Sequence, residues 1–174
     1  MFFDESGFLL QPLRRNTWAP RGHTPIHDAW ARHNRLSAIG AISLAPWALR
    51  IGWYFQVLSH NVKTEDMVAF IKQLHRQLGR GLIIVIDSYQ VHRAAVKRLE
   101  QEGCGWLHVE WLPPYAPELN PVEYAWNHTK YTDLANFIPD DIDHLRRAVS
   151  ASFAVQRHDS WLKHSYFRSA HLSV

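Results

Sequence analysis

The segment 82–112 constrains the fold most, because its hydrophobic pattern changes from strand to helix and back to strand. Leu82-Ile-Ile-Val-Ile86 is a run of five aliphatic residues, which is typical of a strand buried on both faces. Apolar residues then recur at helical spacing from Val91 to Leu99, and a second apolar run occupies residues 106–112. A strand, a helix and a strand within about thirty residues predict a right-handed parallel crossover.

Further strands precede this segment, and helices lie on both sides of it along the chain. We predict three early strands, at Met1 to Leu10 with an interruption at Asp4-Glu-Ser-Gly7, at Leu36 to Leu44, and at Leu49 to Leu58. Helices are predicted from Thr64, as the N-cap, to Gly79 or Gly81, from Asn120 to about Ala135, and from about Pro139 onwards. Residues 11–28, rich in proline and arginine, predict an exposed loop or an irregular hairpin. We expect one α/β domain, with an antiparallel meander and parallel strands in a mixed sheet flanked by helices.

The composition is that of one folded domain. The chain has 174 residues, of which 47% are hydrophobic, and it contains eight tryptophans, so it has enough apolar side chains for a substantial core. No run reaches the roughly 18 apolar residues of a membrane span. Cys104 is the single cysteine of the sequence, which excludes an internal disulfide and a thiolate zinc cluster. We therefore expect a cytoplasmic protein.

The charge of the chain favours a phosphate-bearing partner. The net charge is only +3, but the pI is about 9.2. Arginines crowd the first third of the sequence, and the guanidinium group makes two parallel hydrogen bonds to a phosphate. The members of this group are Arg14, Arg15, Arg21, Arg32, Arg35 and Arg50. A moderately basic surface without a partner explains the same composition.

Three acidic residues follow predicted strands or begin a predicted helix. Asp87 comes directly after the buried strand, at the edge where open α/β sheets place their ligands. Asp4 lies in or just beyond the first strand, and it faces Asp87 if that strand neighbours the one that ends at Asp87. Glu123 lies in the first turn of a helix that Asn120 caps and Pro121 begins. We therefore expect the three carboxylates to converge.

Carboxylates without cysteine suit a hard cation, Mg²⁺ or Mn²⁺, which also takes phosphate oxygens as ligands. Two such ions, roughly 3.5–4 Å apart, would serve phosphoryl transfer on a nucleic acid. Each acid also has a structural explanation. Asp4 fits a solvated terminus, Asp87 fits a cap of the next helix, and Asn120 with Glu123 fits a capping box.

Three sequence motifs contain these acids. They are Phe2-Phe-Asp4-Glu-Ser-Gly-Phe8, Val85-Ile-Asp87 with His92 five residues later, and Leu112-Pro-Pro-Tyr-Ala-Pro-Glu-Leu-Asn-Pro-Val-Glu123-Tyr-Ala-Trp126. The motifs resemble those of the DDE transposases, in particular the mariner-like bacterial insertion-sequence group. Their order agrees, and the 35 residues 88–122 between the second and third acids are close to the interval of that superfamily. The terminal Tyr166-Phe-Arg-Ser169 is also similar.

The resemblance implies a ribonuclease H-like fold and a single DDE catalytic domain over residues 1–174. It implies that Asp4, Asp87 and Glu123 form a catalytic triad that binds two Mg²⁺ or Mn²⁺ ions. The implied activity is that of a transposase, an endonuclease and polynucleotidyl transferase. It cleaves DNA at transposon ends, and the freed 3′-hydroxyl then attacks target DNA.

Two features depart from the pattern of such transposases. Ser88 stands where relatives often have asparagine. The helix-turn-helix region that usually precedes the catalytic domain, and recognises terminal repeats, is absent from this sequence. The sequence is compatible with a catalytic half made from its own reading frame, with a product joined to an upstream frame by frameshifting, and with a truncated remnant. The resemblance implies DNA, both transposon ends and target, as the partner, and a second copy of the chain in a homodimer. The first alternative adds an upstream-encoded helix-turn-helix subunit. We expect a bacterial cytoplasmic protein that joins the nucleoid when bound to DNA.

Seven further residues are candidates for DNA contact. They are Arg14, Arg15, Arg21, His92, Arg93, Tyr115 and Lys130. The loop arginines suit contacts with the phosphate backbone of DNA. Lys130 lies two turns after Glu123 and would face the same groove. Tyr115 suits stacking on a flipped base. His92 suits a phosphate or a metal-bound water, although an ordinary exposed histidine explains it equally well. Trp126, four residues after Val122, is better explained as core.

Two other functions are compatible with the same residues. A ribonuclease H-like nuclease without strand transfer would hydrolyse hybrid or branched substrates and would join no pre-cleaved ends. An inactive DNA-binding remnant would bind with a steep salt dependence and without metal-dependent turnover. The presence of all three acids favours an enzyme over the inactive remnant.

Overall fold

A mixed five-stranded sheet forms the centre of the part of the chain that the structure, a computed structural model, describes. These residues are 1–11, 13, 15–16, 18–23, 34–45 and 50–173. The strands are β1 (Phe2–Leu9), β2 (Arg35–Leu44), β3 (Ile51–Leu58), β4 (Leu82–Ile86) and β5 (Leu107–Trp111). The α-helices are α1 (Thr64–Leu78), α2 (Gln90–Gln101), α3 (Pro121–His128), α4 (Ile142–His158) and α5 (Ser160–Ser169).

Strand β1 lies in the middle of the sheet, whose strand order is β3-β2-β1-β4-β5. It pairs antiparallel with β2 and parallel with β4, and β4 in turn pairs parallel with β5. Strands β1, β2 and β3 therefore form the predicted antiparallel meander, and β4, α2 and β5 form the predicted parallel crossover. The prediction of a mixed α/β sheet flanked by helices is confirmed.

The predicted interruption at residues 4–7 is wrong, because β1 pairs with β2 along its whole length, from Phe2 opposite Ile42 to Leu9 opposite Arg35. The polar run in the sequence looked like a turn. Each of its polar side chains instead has a partner elsewhere in the fold. Asp4 accepts a hydrogen bond from Trp126, Glu5 contacts His92, and Ser6 accepts one from Lys130. These tertiary contacts allow polar residues to occupy a central strand.

Two cores cover the opposite faces of the sheet. Phe3 packs with α1 and α2, whereas Phe2 and Phe8 pack with α3, α4 and α5. Because side chains of a strand alternate between its faces, Asp4 and Ser6 lie on the side of α3, and Glu5 lies on the side of α2. Strand β1 therefore presents adjacent acids to two different helical layers.

The helical region after residue 120 differs from the sequence prediction. One helix to about Ala135 was expected, but α3 ends at His128 and continues as a π-helical segment, Thr129–Asp133. Buried hydrogen bonds hold this segment on α4, since the Thr129 and Ser152 hydroxyls lie 2.7 Å apart and Gln156 Nε2 donates to Thr129 Oγ1 at 2.6 Å. Such polar pairing between distant residues leaves no periodic pattern in the sequence.

The other helix boundaries agree with the predictions to within a few residues, with one addition. Helix α1 begins at Thr64, but its N-cap is Lys63, whose backbone N–H donates to Asp66 Oδ2 at 2.9 Å. Helix α5 was not predicted as a separate element. Asp159 begins it by accepting the Leu162 N–H at 2.8 Å, which is an N-cap signal present in the sequence.

The segment after β1 was predicted to be an exposed loop. All of its described residues from 11 to 23 are exposed, as predicted, and residues 24–28 lie outside the described ranges. None of the helices in the described part of the chain has both the length and the apolar character of a transmembrane span.

Gly40 allows two tryptophans to reach the centre of the sheet. It pairs with Asp4, and a Cβ atom built on it would lie 2.5 Å from Trp126 Cη2 and 2.6 Å from Trp53 Cη2. Both rings are buried, so neither moves aside easily. The absence of a side chain at position 40 therefore determines how closely Trp126 approaches β1.

We predict that Gly40→Ala destabilises the protein by about 1–3 kcal/mol, because overpacking a filled core displaces buried rings. Urea denaturation followed by circular dichroism measures this change. Gly7→Ala in β1 is the matched control, since a Cβ there meets no atom within 4 Å. Equal stability of the two variants would contradict the close packing at Gly40.

Candidate active site

A cleft of about 400 Å³ lies beyond the C-terminal end of β4, and the carboxyl-bearing residues Asp4, Asp87 and Glu123 all line it. The parallel register pairs Phe2 with Val85, so Asp4 and Asp87, each two residues further on, lie level on neighbouring strands. The segment 112–117, which precedes α3, forms another wall. The structure thus brings together the three acids that the sequence singled out.

Asp4 is the most buried of the three, with 8% of its surface exposed. Trp126 Nε1 donates a hydrogen bond to Asp4 Oδ2 at 2.9 Å. Burial raises the pKa of Asp4 well above its usual value, and the negative charges of Glu123 and Glu5 raise it further. The Trp126 hydrogen bond and His92 oppose this rise without cancelling it. The ionised form of Asp4 is therefore costly in the metal-free protein.

Asn120 connects the start of α3 to β1. Its Oδ1 accepts the Val122 N–H at 3.1 Å, as an N-cap does, and its Nδ2 donates to the Phe3 carbonyl at 3.0 Å. The predicted N-cap at Asn120 is confirmed. The cap also places Trp126 against Asp4, because α3 is tied to the strand residue that precedes Asp4. The prediction of Trp126 as a core residue is confirmed too, since its ring is buried.

Asp87 lies just beyond the end of β4, and about half of its side chain is exposed. Its Oδ1 accepts hydrogen bonds from His92 Nδ1 at 2.5 Å and from the Tyr89 N–H at 3.0 Å. The His92 hydrogen bond is the main reason that the pKa of Asp87 lies below its usual value. Burial opposes this shift, and the Tyr89 amide adds a smaller lowering. Asp87 is therefore ionised and oriented.

His92 is almost completely buried, with 1% of its surface exposed. Nδ1 contacts Asp87, and Nε2 makes a short contact with Glu5 Oε2. Burial lowers the pKa of His92, but the hydrogen bonds to Asp87 and Glu5, together with their charges, outweigh it and raise the pKa to about 10. A buried ring with both nitrogens engaged does not match the DNA contact predicted for His92. The sequence contained no sign that Glu5 was its partner.

Glu123 lies in the first turn of α3 and is partly buried. Burial raises the pKa of Glu123, as do the charges of Asp87 and Glu5, whereas Lys130 lowers it. The capping-box explanation is not observed, since the Asn120 N–H that would donate to Glu123 donates to the Pro117 carbonyl at 3.0 Å. The Glu123 carboxylate instead lines the cleft.

Lys130 lies beside the carboxylates rather than in bulk solvent. Its Nζ donates to Ser6 Oγ at 2.7 Å and lies 5.4 Å from the centre of the Phe8 ring. Burial lowers the pKa of Lys130, while the charges of Glu123 and Asp4 raise it. The π-helical segment places Lys130 here, as its preceding residue Thr129 is hydrogen-bonded to α4.

Of two other candidates for DNA contact, one lines the cleft and the other contacts a residue that lines it. Tyr115, with a fully exposed side chain and a backbone φ of 59°, lines it directly. Arg93 is on α2, and its Nε donates to the Ser88 carbonyl at 2.7 Å. Ser88, the position that departs from the pattern of relatives, also lines the cleft.

The loop arginines are placed differently. The Arg15 guanidinium lies over the Tyr131 ring, 4.7 Å from its centre, and Arg15 N–H donates to Asn136 Oδ1 at 2.8 Å. Arg21 is exposed. Arg14, predicted with them, lies outside the described residues. The described loop arginines are therefore not among the residues that line the acidic cleft.

The residues of the cleft suit a hard divalent cation, for which they would supply some of the ligands. Within the described ranges, no three His, Cys, Asp or Glu side chains form a preformed metal-binding group. Mg²⁺ is commonly held by one or two carboxylates, with waters and substrate phosphates as its other ligands. Oxygen donors from Asp4, Asp87 and Glu123, open to solvent on the side of Asp87, match that chemistry.

A mixed sheet with acids on neighbouring strands is the architecture of a ribonuclease H-like domain. A sequence profile described as DDE superfamily endonuclease matches residues 1–146, and the chain belongs to this family. The predicted membership of the DDE superfamily is confirmed, and with it the endonuclease class that the profile describes. No curated protein sequence matches the chain.

Solved structures of the Mos1 mariner transposase share the fold. A paired-end complex with Mn superposes with a TM-score of 0.68 at 18% identity, over 98% of this chain and 51% of that one. A pre-cleavage transpososome has a TM-score of 0.67 at 18% identity, over 98% of this chain and 51% of that one. The isolated catalytic domain has a TM-score of 0.59 at 16% identity, over 98% of this chain and 74% of that one. The predicted ribonuclease H-like fold is confirmed, and the chain spans about half the length of the Mos1 chains in these complexes.

We predict that Asp4→Asn raises the melting temperature of the metal-free protein at pH 8. The amide still accepts the Trp126 hydrogen bond, but it removes a buried charge that Glu123 and Glu5 repel. A gain of about 1 kcal/mol would raise Tm by about 2–4 °C in a chain of this size. Differential scanning calorimetry in EDTA measures the shift.

The pH dependence has a definite sign. The pKa of Asp4 in the folded protein lies above its ordinary value of 3.8, so the wild type loses stability as the pH rises from that value through the folded pKa. The advantage of Asp4→Asn should therefore disappear at low pH. Asp143→Asn, at an exposed position of α4, is the control. A lower Tm for Asp4→Asn at pH 8 would contradict a cost of burying Asp4.

Proposed function

We propose that this chain is the catalytic domain of a transposase, which cleaves DNA at the ends of an insertion sequence and joins the freed ends to target DNA. The observation that carries the proposal is the alignment of Asp4 and Asp87 on neighbouring strands with Glu123 across one cleft, in a member of the DDE superfamily endonuclease family. We infer that these three residues are the catalytic triad.

The three carboxylates would hold Mg²⁺ or Mn²⁺, and we propose two ions. When bound, such ions neutralise the charge that develops on the oxygens of the phosphoryl group and favour ionisation of the attacking oxygen. The structures of Mos1 include complexes with Mn and with Mg, which supports a requirement for a divalent cation in this family. The raised pKa of Asp4 agrees with a group that is adapted to a nearby cation.

The chain itself would position the reacting atoms. Trp126 holds Asp4, His92 holds Asp87, and the capped first turn of α3 holds Glu123. In the first step a water oxygen bonds to phosphorus and releases a proton, while the bond from phosphorus to the 3′ oxygen breaks and that oxygen takes up a proton. In the second step the freed 3′-hydroxyl attacks a target phosphodiester and displaces its 3′ oxygen. Both steps are in-line displacements, so one set of positioned carboxylates serves both.

We propose DNA as the partner, in the form of transposon ends and target DNA. The structural relatives include a paired-end complex and a strand transfer complex of Mos1, which supports this choice. Tyr115, Arg93 and Lys130 are the proposed contacts near the cleft. Arg15 and Arg21, with Arg14 outside the described residues, are the proposed contacts further away.

The other predictions about assembly and location remain proposals. We propose a homodimer that pairs two DNA ends, and an upstream-encoded helix-turn-helix subunit that recognises the terminal repeats. Binding to DNA would bring the protein to the bacterial nucleoid.

We predict that Asp87→Asn lowers the rate of Mg²⁺-dependent cleavage of transposon-end DNA by on the order of 10²-fold or more, which corresponds to about 2.7 kcal/mol or more of transition-state stabilisation. The neutral amide offers a poorer ligand to a cation and loses the charge that His92 complements. Single-turnover cleavage of labelled DNA that carries the flanking inverted repeats measures the rate.

Asp143→Asn, a matched change at an exposed position, should cleave at the wild-type rate. The same assay with pre-cleaved ends and a target plasmid tests strand transfer, which should also be lost in Asp87→Asn. Wild-type activity of Asp87→Asn would reject the assignment. Cleavage by the wild type without any joined product would favour a ribonuclease H-like nuclease.

We predict that Arg93→Gln weakens DNA binding and lowers the slope of log K against log salt concentration by about 0.9, because each phosphate contact releases condensed counterions. Fluorescence anisotropy in Ca²⁺ at several salt concentrations measures the slope. Arg76→Gln is the control. Arg76 lies near the end of α1, which leads to the N-terminal end of β4, whereas the cleft lies at the C-terminal end of β4. Equal slopes for Arg93→Gln and the wild type would exclude Arg93 from the DNA path.

A further inference from the structure

The contacts among Glu5, His92 and Asp87 form a connection that we call the Glu5–His92–Asp87 clasp. We propose that Glu5 and His92 are positioning residues, which hold the Asp87 carboxylate towards the cleft and thereby set its affinity for a divalent cation. The inference rests on the proposed function, because it gives Asp87 the role of a metal ligand. It differs from the DNA contact that the sequence predicted for His92.

Asp87 needs an external support, because it lies beyond the end of β4 and half of its side chain is exposed. An exposed aspartate samples several rotamers unless neighbouring groups restrict it. His92 Nδ1, at 2.5 Å, and the Tyr89 N–H, at 3.0 Å, both bond to the same oxygen, Oδ1. This arrangement directs the other oxygen, Oδ2, away from these donors.

His92 is itself held in place. It lies in the first turn of α2 and is buried, and its Nδ1 also lies 3.3 Å from the Asp87 carbonyl oxygen. Its second nitrogen contacts Glu5 Oε2 across the layer between α2 and the sheet. A ring with a carboxylate at each nitrogen cannot rotate without breaking both contacts.

Glu5 reaches His92 because it follows Asp4 in β1. Adjacent side chains of a strand point to opposite faces, so Asp4 meets Trp126 of α3 and Glu5 meets His92 of α2. Two adjacent residues of β1 therefore serve the cleft in different ways. Asp4 provides its own carboxylate, and Glu5 supports the carboxylate of Asp87 through His92. The clasp also connects β1 to the segment after β4, at the level where Asp4 and Asp87 lie side by side.

Groups that orient a metal ligand typically change metal affinity or activity by about 10–100-fold when removed. We therefore expect the clasp to act on cation binding and on kcat. It should not act on the affinity for DNA, since His92 is buried and does not reach the surface. This separation distinguishes a positioning role from a DNA contact.

Two conservative variants of His92 separate its two bonds. The amide of His92→Asn replaces Nδ1 and keeps a donor for Asp87, whereas the longer amide of His92→Gln replaces Nε2 and keeps one for Glu5. We expect His92→Gln to weaken Mn²⁺ binding by about 10–100-fold and His92→Asn to weaken it by a smaller factor. Isothermal titration calorimetry with Mn²⁺ in the absence of DNA measures both.

Cleavage assays add the second readout. The kcat of His92→Gln should fall at low Mn²⁺ and recover at high Mn²⁺, with an unchanged KM for DNA. His75→Gln is the control, because His75 lies in α1, away from the cleft. Its ring stacks on Trp106 and contacts the Arg80 carbonyl. Circular dichroism and Tm establish that each variant is folded. Glu5 is also replaced, by alanine or, if Glu5→Ala is unstable, by glutamine, which keeps an acceptor for His92.

Glu5 is tested by coupling to His92. Glu5→Ala should weaken Mn²⁺ binding in the wild-type background but add little in the His92→Gln background, since both changes remove the same support. Equal losses in the two backgrounds would overturn the proposal and make Glu5 a direct ligand. Unchanged Mn²⁺ affinity in His92→Gln would also overturn it, as would a raised KM for DNA alone.

The clasp and the proposed function fail in different ways. A wild-type protein that binds Mn²⁺ through Asp87, and loses this affinity in His92→Gln, supports the clasp even if it cleaves no transposon-end DNA. The absence of cleavage would then reject only the transposase proposal. Cleavage that depends on Asp87 but not on His92 would reject the clasp and retain the transposase.

Discussion

The structure depends on keeping a carboxylate, that of Asp4, almost out of water in the middle of a sheet. Burial and the charges of Glu123 and Glu5 oppose its ionised form, and a single hydrogen bond from Trp126 Nε1 partly offsets this cost. The same hydrogen bond requires Trp126 to lie over Gly40, where any side chain would collide with it. A destabilised carboxylate that a cation would relieve is typical of a functional site rather than of a structural one.

Strand β1 relates this site to the rest of the fold. Its alternation sends Asp4 to the layer of α3 and Glu5 to the layer of α2, so that both helical layers take part in one cleft. Asn120 then ties the start of α3 to the Phe3 carbonyl, one residue before Asp4. The acids are thus oriented by elements on both faces of the sheet, which is a more rigid arrangement than a cluster within one loop.

Local patterns predicted much of this architecture, because they are properties of short segments. The period change in residues 82–112 predicted the crossover, and Asn120 predicted the start of α3. The predictions were wrong where contacts with residues distant in sequence determine the local structure. The polar run at 4–7 is a continuous strand because its side chains find partners in other elements, and Thr129 belongs to a π-helical segment because it bonds to α4. His92 was expected at the surface, and its burial follows from Glu5, 87 positions away.

The sequence by itself determined the order of the five strands and of helices α1 to α4, the family, and which three acids are candidates for the site. These features follow from hydrophobic period, capping residues and short motifs, all of which act within a few residues. Only the tertiary structure decided which atoms hold two of the acids: Trp126 for Asp4, and His92 with Glu5 for Asp87. It also decided that the charge of Lys130 acts on Glu123. The physical reason is that a hydrogen bond between side chains distant in sequence depends on packing, which no local pattern encodes.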